Sequence, residues 1–412
     1  MSSSNYVRIG VIGAGFVADF HITALASVRG VLVEGIHALK GAEKLSDKVR
    51  ELGLGSGTVC ESVEEVCRKS DIVAVFVPNF AREQVIKEIT ESLACPRFIV
   101  CEKPFARNIA EGRRILDMII AKSVKGAYFE NQIFMPAVTQ ARRQLVKVVE
   151  RMGPVNLVRT AEEHGGPHEP WFWDPTRQGG GVWSDMGCHS VAIGEDLGAT
   201  ASGGKLTPCS VSATLELLKW YNDPWLSKLK EKGVDYTKTP AEDFAQVSFV
   251  FKNERGRKVV VLATDSWMYE APGLRLSMEA MGPGYALGVD TLKSPSGIFI
   301  SDSAAESLVN AELAVEKSQA SRGQLVIQPN EADLYGYVGE WRNAIDAYLR
   351  KEDGLLDFKY AMRVVKLIIA GYYAHEQGQT IDLEDGRFLD SAELVNYVPL
   401  IQQGRGADVF WK

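Results

Sequence analysis

No run of about 18 apolar residues occurs in this 412-residue chain, so no helical membrane span is expected. Positive charge is not in excess either. Lys and Arg number 46 against 53 Asp and Glu, a net −7, which argues against nucleic acid or an anionic membrane surface as the main partner. Cysteine is sparse. The six, at positions 60, 67, 95, 101, 188 and 209, show no CxxC spacing and sit among apolar neighbours. That pattern suits reduced thiols in a cytoplasm better than disulfides or a zinc site. The opening Met1-Ser-Ser-Ser-Asn5 lacks the basic and apolar regions of a secretory signal, so a cytoplasmic location is expected. Internal repeats and low-complexity segments are missing too. What remains is an ordinary globular composition, 46% hydrophobic and 24% charged, long enough for two domains.

The first unit of structure sets the rest. Val7–Ile12 suits a buried strand, breaks at Gly13-x-Gly15-x-x-Ala18, and continues as a helix through Leu25. Gly13 would make the tight turn and Gly15 would let the backbone approach a pyrophosphate. Small Ala18 would let the helix lie close to the sheet, and the helix head offers N–H groups to phosphate oxygens. The candidate cofactor-binding residues here are Gly13, Gly15, Phe16 and Val17. Strand and helix patterns then alternate: Val31–Ile36, a helix Ser62–Lys69 with Ser62 and Glu65 as a capping box, and Asp71–Val77 ending at Pro78-Asn79. A helix Arg82–Leu93, a strand Phe98–Cys101, a helix Ile109–Ala121 and a strand Ala127–Glu130 follow. This predicts a dinucleotide-binding domain over residues 1–130, with Pro78, Asn79 and Glu102 at the sheet edge that faces the ligand. After the second strand, where an acid often binds the ribose, the chain reads His37-Ala-Leu-Lys40. Lys40 could reach a 2′-phosphate or be a solvated lysine, so the cofactor is NAD or NADP, with NAD slightly ahead.

From Pro136 the pattern changes. A long amphipathic helix, Pro136–Met152, precedes extended stretches at Val155–Glu163, Val211–Leu217, Ala245–Lys252, Lys258–Trp267, Leu274–Met281 and Ile298–Ser301. Helices Glu331–Leu349 and Phe358–Gln377 close the chain. The fold class expected is α/β: a doubly wound parallel sheet, then an α+β substrate-binding and oligomerisation domain over 131–412 with a large, mostly antiparallel open sheet. The aromatic, proline-broken Trp220–Thr239 reads as an excursion near the site or at a subunit contact.

Three places could carry chemistry. Lys103, in Glu102-Lys103-Pro104, would point from the sheet edge at a substrate hydroxyl and favour an alkoxide-like state; the plain alternative is a surface lysine. In Gly179-Gly-Gly-Val-Trp-Ser-Asp185-Met-Gly-Cys-His189, a helix from Val182 places Asp185 and His189 at i and i+4 on one face. A histidine collects a hydroxyl proton near neutral pH, and a carboxylate beside it orients it or binds substrate; otherwise Asp185 is a cap and His189 a satisfied core residue. The glycines would let the backbone pass close to a ligand. Last, the stretch from Glu162 to Asp174 offers His164, His168 and Trp173 to a sugar ring, unless its aromatics simply cover the sheet. No metal is expected at these histidines, since nothing places them on a helix and no cysteine lies near.

Together the GAGFVA turn, VFVPN at 75–79, EKP at 102–104, Phe134-Met-Pro136 and GGGVWSDMGCH at 179–189 resemble the glucose–fructose oxidoreductase / inositol dehydrogenase / rhizopine-catabolism (Gfo/Idh/MocA) family over essentially the whole chain. The resemblance implies that Lys103, Asp185 and His189 line the nicotinamide pocket, with His189 as general base. It also implies a sugar or cyclitol substrate, and a homodimer or homotetramer joined through the open face of the second sheet. Three positions depart from the family pattern: Arg82 stands near the place of a frequent histidine, Ile133 replaces an arginine, and the acid after the second strand is absent. Reversible hydride transfer at a secondary carbinol is the expected reaction. The alternative is an NAD-dependent glycosidase working by transient oxidation, elimination and re-reduction, with Glu163, His164 and His168 as extra acid–base groups. A nicotinamide-sensing regulator would be expected to lack the lysine or the histidine.

Overall fold

A computed structural model of the chain describes residues 6–200, 205–270, 273–292, 297–300, 323–326 and 331–411. Met1–Asn5 and the predicted strand end at Ser301 lie outside the described residues. The chain forms two compact units, Met1–Pro136 with Ala332–Val365 and Ala137–Glu331 with Lys366–Lys412. The first therefore extends beyond the expected boundary at 130, and 332–365 rejoins it.

In the first unit, β1 (Val7–Ile12), β2 (Val31–His37), β3 (Thr58–Val59), β4 (Ile72–Val75), β5 (Phe98–Glu102) and β6 (Lys125–Phe129) make a parallel sheet in the order β3-β2-β1-β4-β5-β6. Its central strands are mostly apolar because both faces are covered; every residue of β4 is buried. The helices between them are α1 (Phe16–Leu25), α2 (Ala42–Glu51), α3 (Val63–Lys69), α4 (Asn79–Glu91) and α5 (Ile109–Ala121). Ser62 caps α3 by accepting the Glu65 N–H, but the Glu65 carboxylate returns to the Glu61 N–H at 3.0 Å, one residue earlier than a capping box requires. α4 begins at Asn79, three residues ahead of the expected Arg82, directly behind Pro78. The expected helix from Glu331 is broken at Gly336, which sits at φ +94°. A Cβ there would meet the Asn131 carbonyl oxygen at 2.0 Å, so only glycine fits. The helix Tyr337–Arg350 that follows buries Val338, Trp341, Ala344 and Ile345 within this unit.

The second unit opens with α6 (Pro136–Met152) and holds β7 (Leu157–Glu163), β8 (Thr207–Glu216), β9 (Phe244–Lys252), β10 (Lys258–Ser266), β11 (Arg275–Gly282), β12 (Tyr285–Asp290) and β15 (Ile381–Asp382). They form one sheet in the order β12-β11-β7-β10-β9-β8-β15. Only β7 and β10 pair parallel; the other neighbours are antiparallel. β13 (Gly297–Ile300) and β14 (Gly323–Val326) make a separate pair. Two short helices, α7 (Pro175–Gln178) and α9 (Trp225–Glu231), sit in connections. The long α8 (Val182–Thr200) packs on β7 and β10. Gly194 and Gly198 let it approach closely, since a Cβ on Gly194 would meet Val261 at 2.3 Å. No disulfide joins the cysteines, and burial pushes the Cys67 and Cys101 thiols up to about 11. No helix among the described residues is long and apolar enough to cross a membrane.

Candidate active site

The dinucleotide turn is built from close approach on one side and open space on the other. Gly13 lies at φ +104°, and a Cβ on it would meet the Phe76 carbonyl oxygen at 2.3 Å, so the turn is pressed against the end of β4. A Cβ on Gly15 would meet nothing within 4 Å. Gly15 is the N-cap of α1, so the uncrowded surface coincides with the helix head, where Phe16 and Val17 present backbone N–H groups. Phe16 is 46% exposed beside this head. This cradle fits a pyrophosphate, whose charge the helix dipole favours. Gly41, just after exposed Lys40, adopts φ +80°, and its position 3.2 Å (Cβ) from the Ala14 carbonyl oxygen brings the chain after β2 against the glycine turn. His37 turns away, with Nδ1 2.9 Å from the Cys60 carbonyl oxygen.

At the carboxyl edge of this sheet, Asn79 is buried in the first turn of α4. Arg82 is buried behind it and donates to the Val77 carbonyl oxygen at 3.3 Å, so it braces the strand end. β5 ends in buried Glu102 and is followed by half-buried Lys103. The Lys103 backbone N–H donates to Glu102 Oε2 at 2.9 Å. His21, Glu102 and Glu340 bring donor atoms within 4.8 Å of one another. Hydrogen bonding accounts for that cluster, because the Trp341 indole N–H occupies His21 Nδ1 at 3.0 Å.

In the second unit, Asp185 and His189 lie one turn apart on α8, both buried. His189 Nε2 stands 4.0 Å from Glu162 Oε2 on β7. Glu162 is the register partner of Asp265 on the parallel neighbour β10, so two carboxyls share one sheet face under the helix. Ser190 Oγ donates to Asp265 Oδ1 at 2.7 Å. Burial, and then Glu162, hold the Asp265 carboxyl well above the usual range. Asp265 was not among the expected site residues. Its strand alternation is visible in the sequence, but its neighbour lies 103 positions away by this pairing, Asp265 to Glu162.

The glycines before α8 do something other than admit a ligand. A Cβ on Gly180 would meet the Tyr372 hydroxyl at 2.0 Å, and one on Gly181 would meet the Glu242 carbonyl oxygen at 2.1 Å. They let this unit's own residues close on the helix head. Glu242 Oε1 accepts N–H groups from Gly181 at 2.9 Å and Trp183 at 3.2 Å, and the Tyr372 hydroxyl donates to it as well. His164 is buried, and its Nδ1 accepts the Gly166 N–H at 2.9 Å; His168 is half-buried. Trp173 is buried against Trp220 and Trp267, with ring centroids 4.4 and 4.9 Å away, and its indole donates to the Pro167 carbonyl oxygen. It covers the structure from inside, the second of the two roles open to it. Glu163 is ion-paired with Arg275.

A doubly wound sheet with an anion cradle at its first turn, joined in one chain to a mixed sheet bearing an acid–histidine helix, defines an α/β protein with an NAD-binding Rossmann unit. Residues 7–129 match the model of the Gfo/Idh/MocA oxidoreductase family, with its NAD-binding Rossmann fold. It is 28% identical over 120 residues to glucose-6-phosphate 3-dehydrogenase of Bacillus subtilis (strain 168), covering 29% of this chain and 32% of that protein. It is 26% identical over 149 residues to inositol 2-dehydrogenase 3 of Saccharopolyspora erythraea, covering 36% and 41%. The chain thus spans less than half the length of these curated relatives. The crystal structure of GenD2 from gentamicin A biosynthesis in complex with NAD superposes with a TM-score of 0.72 at 20% identity, covering 93% of this chain and 97% of that one. That likeness concerns the fold.

Proposed function

We propose that the chain is a nicotinamide-dependent dehydrogenase acting on a secondary hydroxyl of a sugar, cyclitol or sugar derivative. The observation that carries the reading is the buried His189 on α8, set 4.0 Å from the Glu162 carboxylate, in a chain whose residues 7–129 match the NAD-binding oxidoreductase family. NAD or NADP, when bound, supplies the hydride acceptor. His189 takes the hydroxyl proton, and Glu162 favours the imidazolium that results. Lys103 steadies the oxygen as negative charge builds on it. Asp185 binds a neighbouring hydroxyl or orients His189. The names of the relatives, a glucose-6-phosphate dehydrogenase and an inositol dehydrogenase, support a polyol as substrate.

The redox-neutral glycosidase reading needs a second acid–base group. Glu163 is tied to Arg275 and His164 Nδ1 to the Gly166 N–H, which favours the dehydrogenase. The test is a panel of sugars, cyclitols and glycosides with NAD and NADP, following both reduced nicotinamide and free aglycone. Lys103→Ala and His189→Ala should each lower kcat by about 10²–10⁴-fold while dinucleotide affinity holds. Near-normal turnover in both variants removes the mechanism. Aglycone release without net reduction favours the glycosidase, and dinucleotide binding without turnover favours a regulator.

A further inference from the structure

A buried polar chain in the first unit runs from the helix Tyr337–Arg350 to Lys103. The Trp341 indole donates to His21 Nδ1 at 3.0 Å. An indole N–H can only donate, so Nδ1 must present a bare lone pair and the His21 proton sits on Nε2. Nε2 lies 2.9 Å from Glu102 Oε1 and donates to it. The other oxygen of Glu102 accepts the Lys103 backbone N–H at 2.9 Å. The imidazole cannot turn to another arrangement, because it is fully buried and stacked on Phe76 at 4.0 Å and 4° with Tyr337 and Trp341 against its edges.

The surrounding charges preserve this state. Glu340, on the same helix as Trp341, reaches within 3.8 Å of Nδ1. Burial, and then the carboxyls of Glu102 and Glu130, push its pKa well above the usual carboxyl range. Burial also lowers the His21 pKa against the opposing pull of Glu102. With Nδ1 accepting the Trp341 N–H, His21 is a neutral Nε2–H donor to Glu102, whose two oxygens each accept an N–H group.

We propose that His21 is a positioning residue for Lys103: as its Nε2–H tautomer it clamps the Glu102 carboxylate, and through it the backbone of Lys103, in one place. The catalytic importance of that place rests on the dehydrogenase reading; the clamp itself does not. The experiment accordingly needs no turnover. In ¹⁵N-histidine-labelled full-length protein, the histidine signal lost in His21→Gln should show the neutral Nε2–H pattern across roughly pH 5.5 to 8.5. An Nδ1–H pattern or an ordinary titration overturns the proposal. Amine acetylation of Lys103, read by peptide mass spectrometry, should change in rate by about tenfold in His21→Leu, the scale of one charge-assisted hydrogen bond. It should stay within about twofold in His21→Gln, which keeps an N–H donor, with Lys40 unmoved in both. A Lys103 rate unchanged in His21→Leu overturns it. If His21→Leu does not fold, Trp341→Phe keeps an aromatic side chain but loses the indole N–H with its five-membered ring: loss of the single tautomer with a changed Lys103 rate supports the clamp, and an unchanged tautomer and rate overturn it. Should no polyol be oxidised by the wild-type protein, the dehydrogenase reading fails while these results stand.

Discussion

An exposed lysine stands where a ribose-binding acid is often found. Lys40 precedes Gly41, whose left-handed backbone leans on Ala14 inside the glycine turn, so the side chain starts beside the place the adenosine ribose would take. Replacing it with an acid gives the two ribose hydroxyls an acceptor and repels a 2′-phosphate. Lys40→Asp should therefore raise the ratio of NAD to NADP affinity by about tenfold or more, read as two dissociation constants by nicotinamide fluorescence. An unchanged ratio would place Lys40 in solvent only. Single residues were legible in the sequence where their role is local. Gly13 and Gly15 follow from a strand running into a helix, and Asp185 with His189 follows from one helical turn. His21, Asp265 and Glu242 were not, because each acts through a partner far along the chain: Trp341, Glu162 and the backbone of Gly181. Trp173 shows the converse, since residue type alone does not tell a stacking platform from a core indole.

At the scale of the element, α8 depends on an acid that is not in its own sequence. Glu242 accepts two backbone N–H groups at the helix head, doing for it what a capping residue does, and burial pushes its pKa up to about 7 from 4.5 against the opposing pull of those bonds. Between those two values the folded chain keeps a proton that the unfolded chain has lost. The stabilisation is thus complete below the unfolded value, falls as pH rises through the window, and levels off above about 7. The loss is on the order of 3 kcal/mol by linkage. Glu242→Gln keeps an oxygen acceptor for Gly181 and Trp183 and does not titrate. Its melting temperature should fall less than that of the wild-type protein between about pH 5 and 7. Parallel curves would mean that another group takes up the proton. The helix itself was legible because its start, its polar pair and its length are written consecutively. The use of its glycines was not, because the atoms that need the space belong to Tyr372 and Glu242.

At the scale of the whole molecule, the change from alternating strands and helices to a run of strands marked the passage from one sheet to the other. The return of 332–365 to the first unit was not marked, since an amphipathic helix does not say in its sequence which surface its apolar face meets. The second sheet poses the same question on its face away from α8. The register puts Leu157, Val250, Val260 and Leu262 there, all half-buried, with Arg159 and Glu279 paired across neighbouring strands at 3.5 Å. Apolar side chains at the middle with a charge pair beside them match the make-up of a protein–protein contact. We propose that copies of this chain associate through that face as a homodimer or homotetramer. Leu262 sits between Arg159 on β7 and Ser248 on β9, so an arginine in its place would enter the contact beside an existing positive charge and find no partner. A buried charge without a partner costs several kcal/mol, enough to weaken association by about a hundredfold or more. Light scattering on the Leu262→Arg protein should show the mass of one chain at concentrations where the wild-type protein shows two or four. Thr264→Lys, on the same face two residues nearer the strand end, should weaken association less. A wild-type mass of one chain, or an unchanged mass in Leu262→Arg, would leave the face without this role.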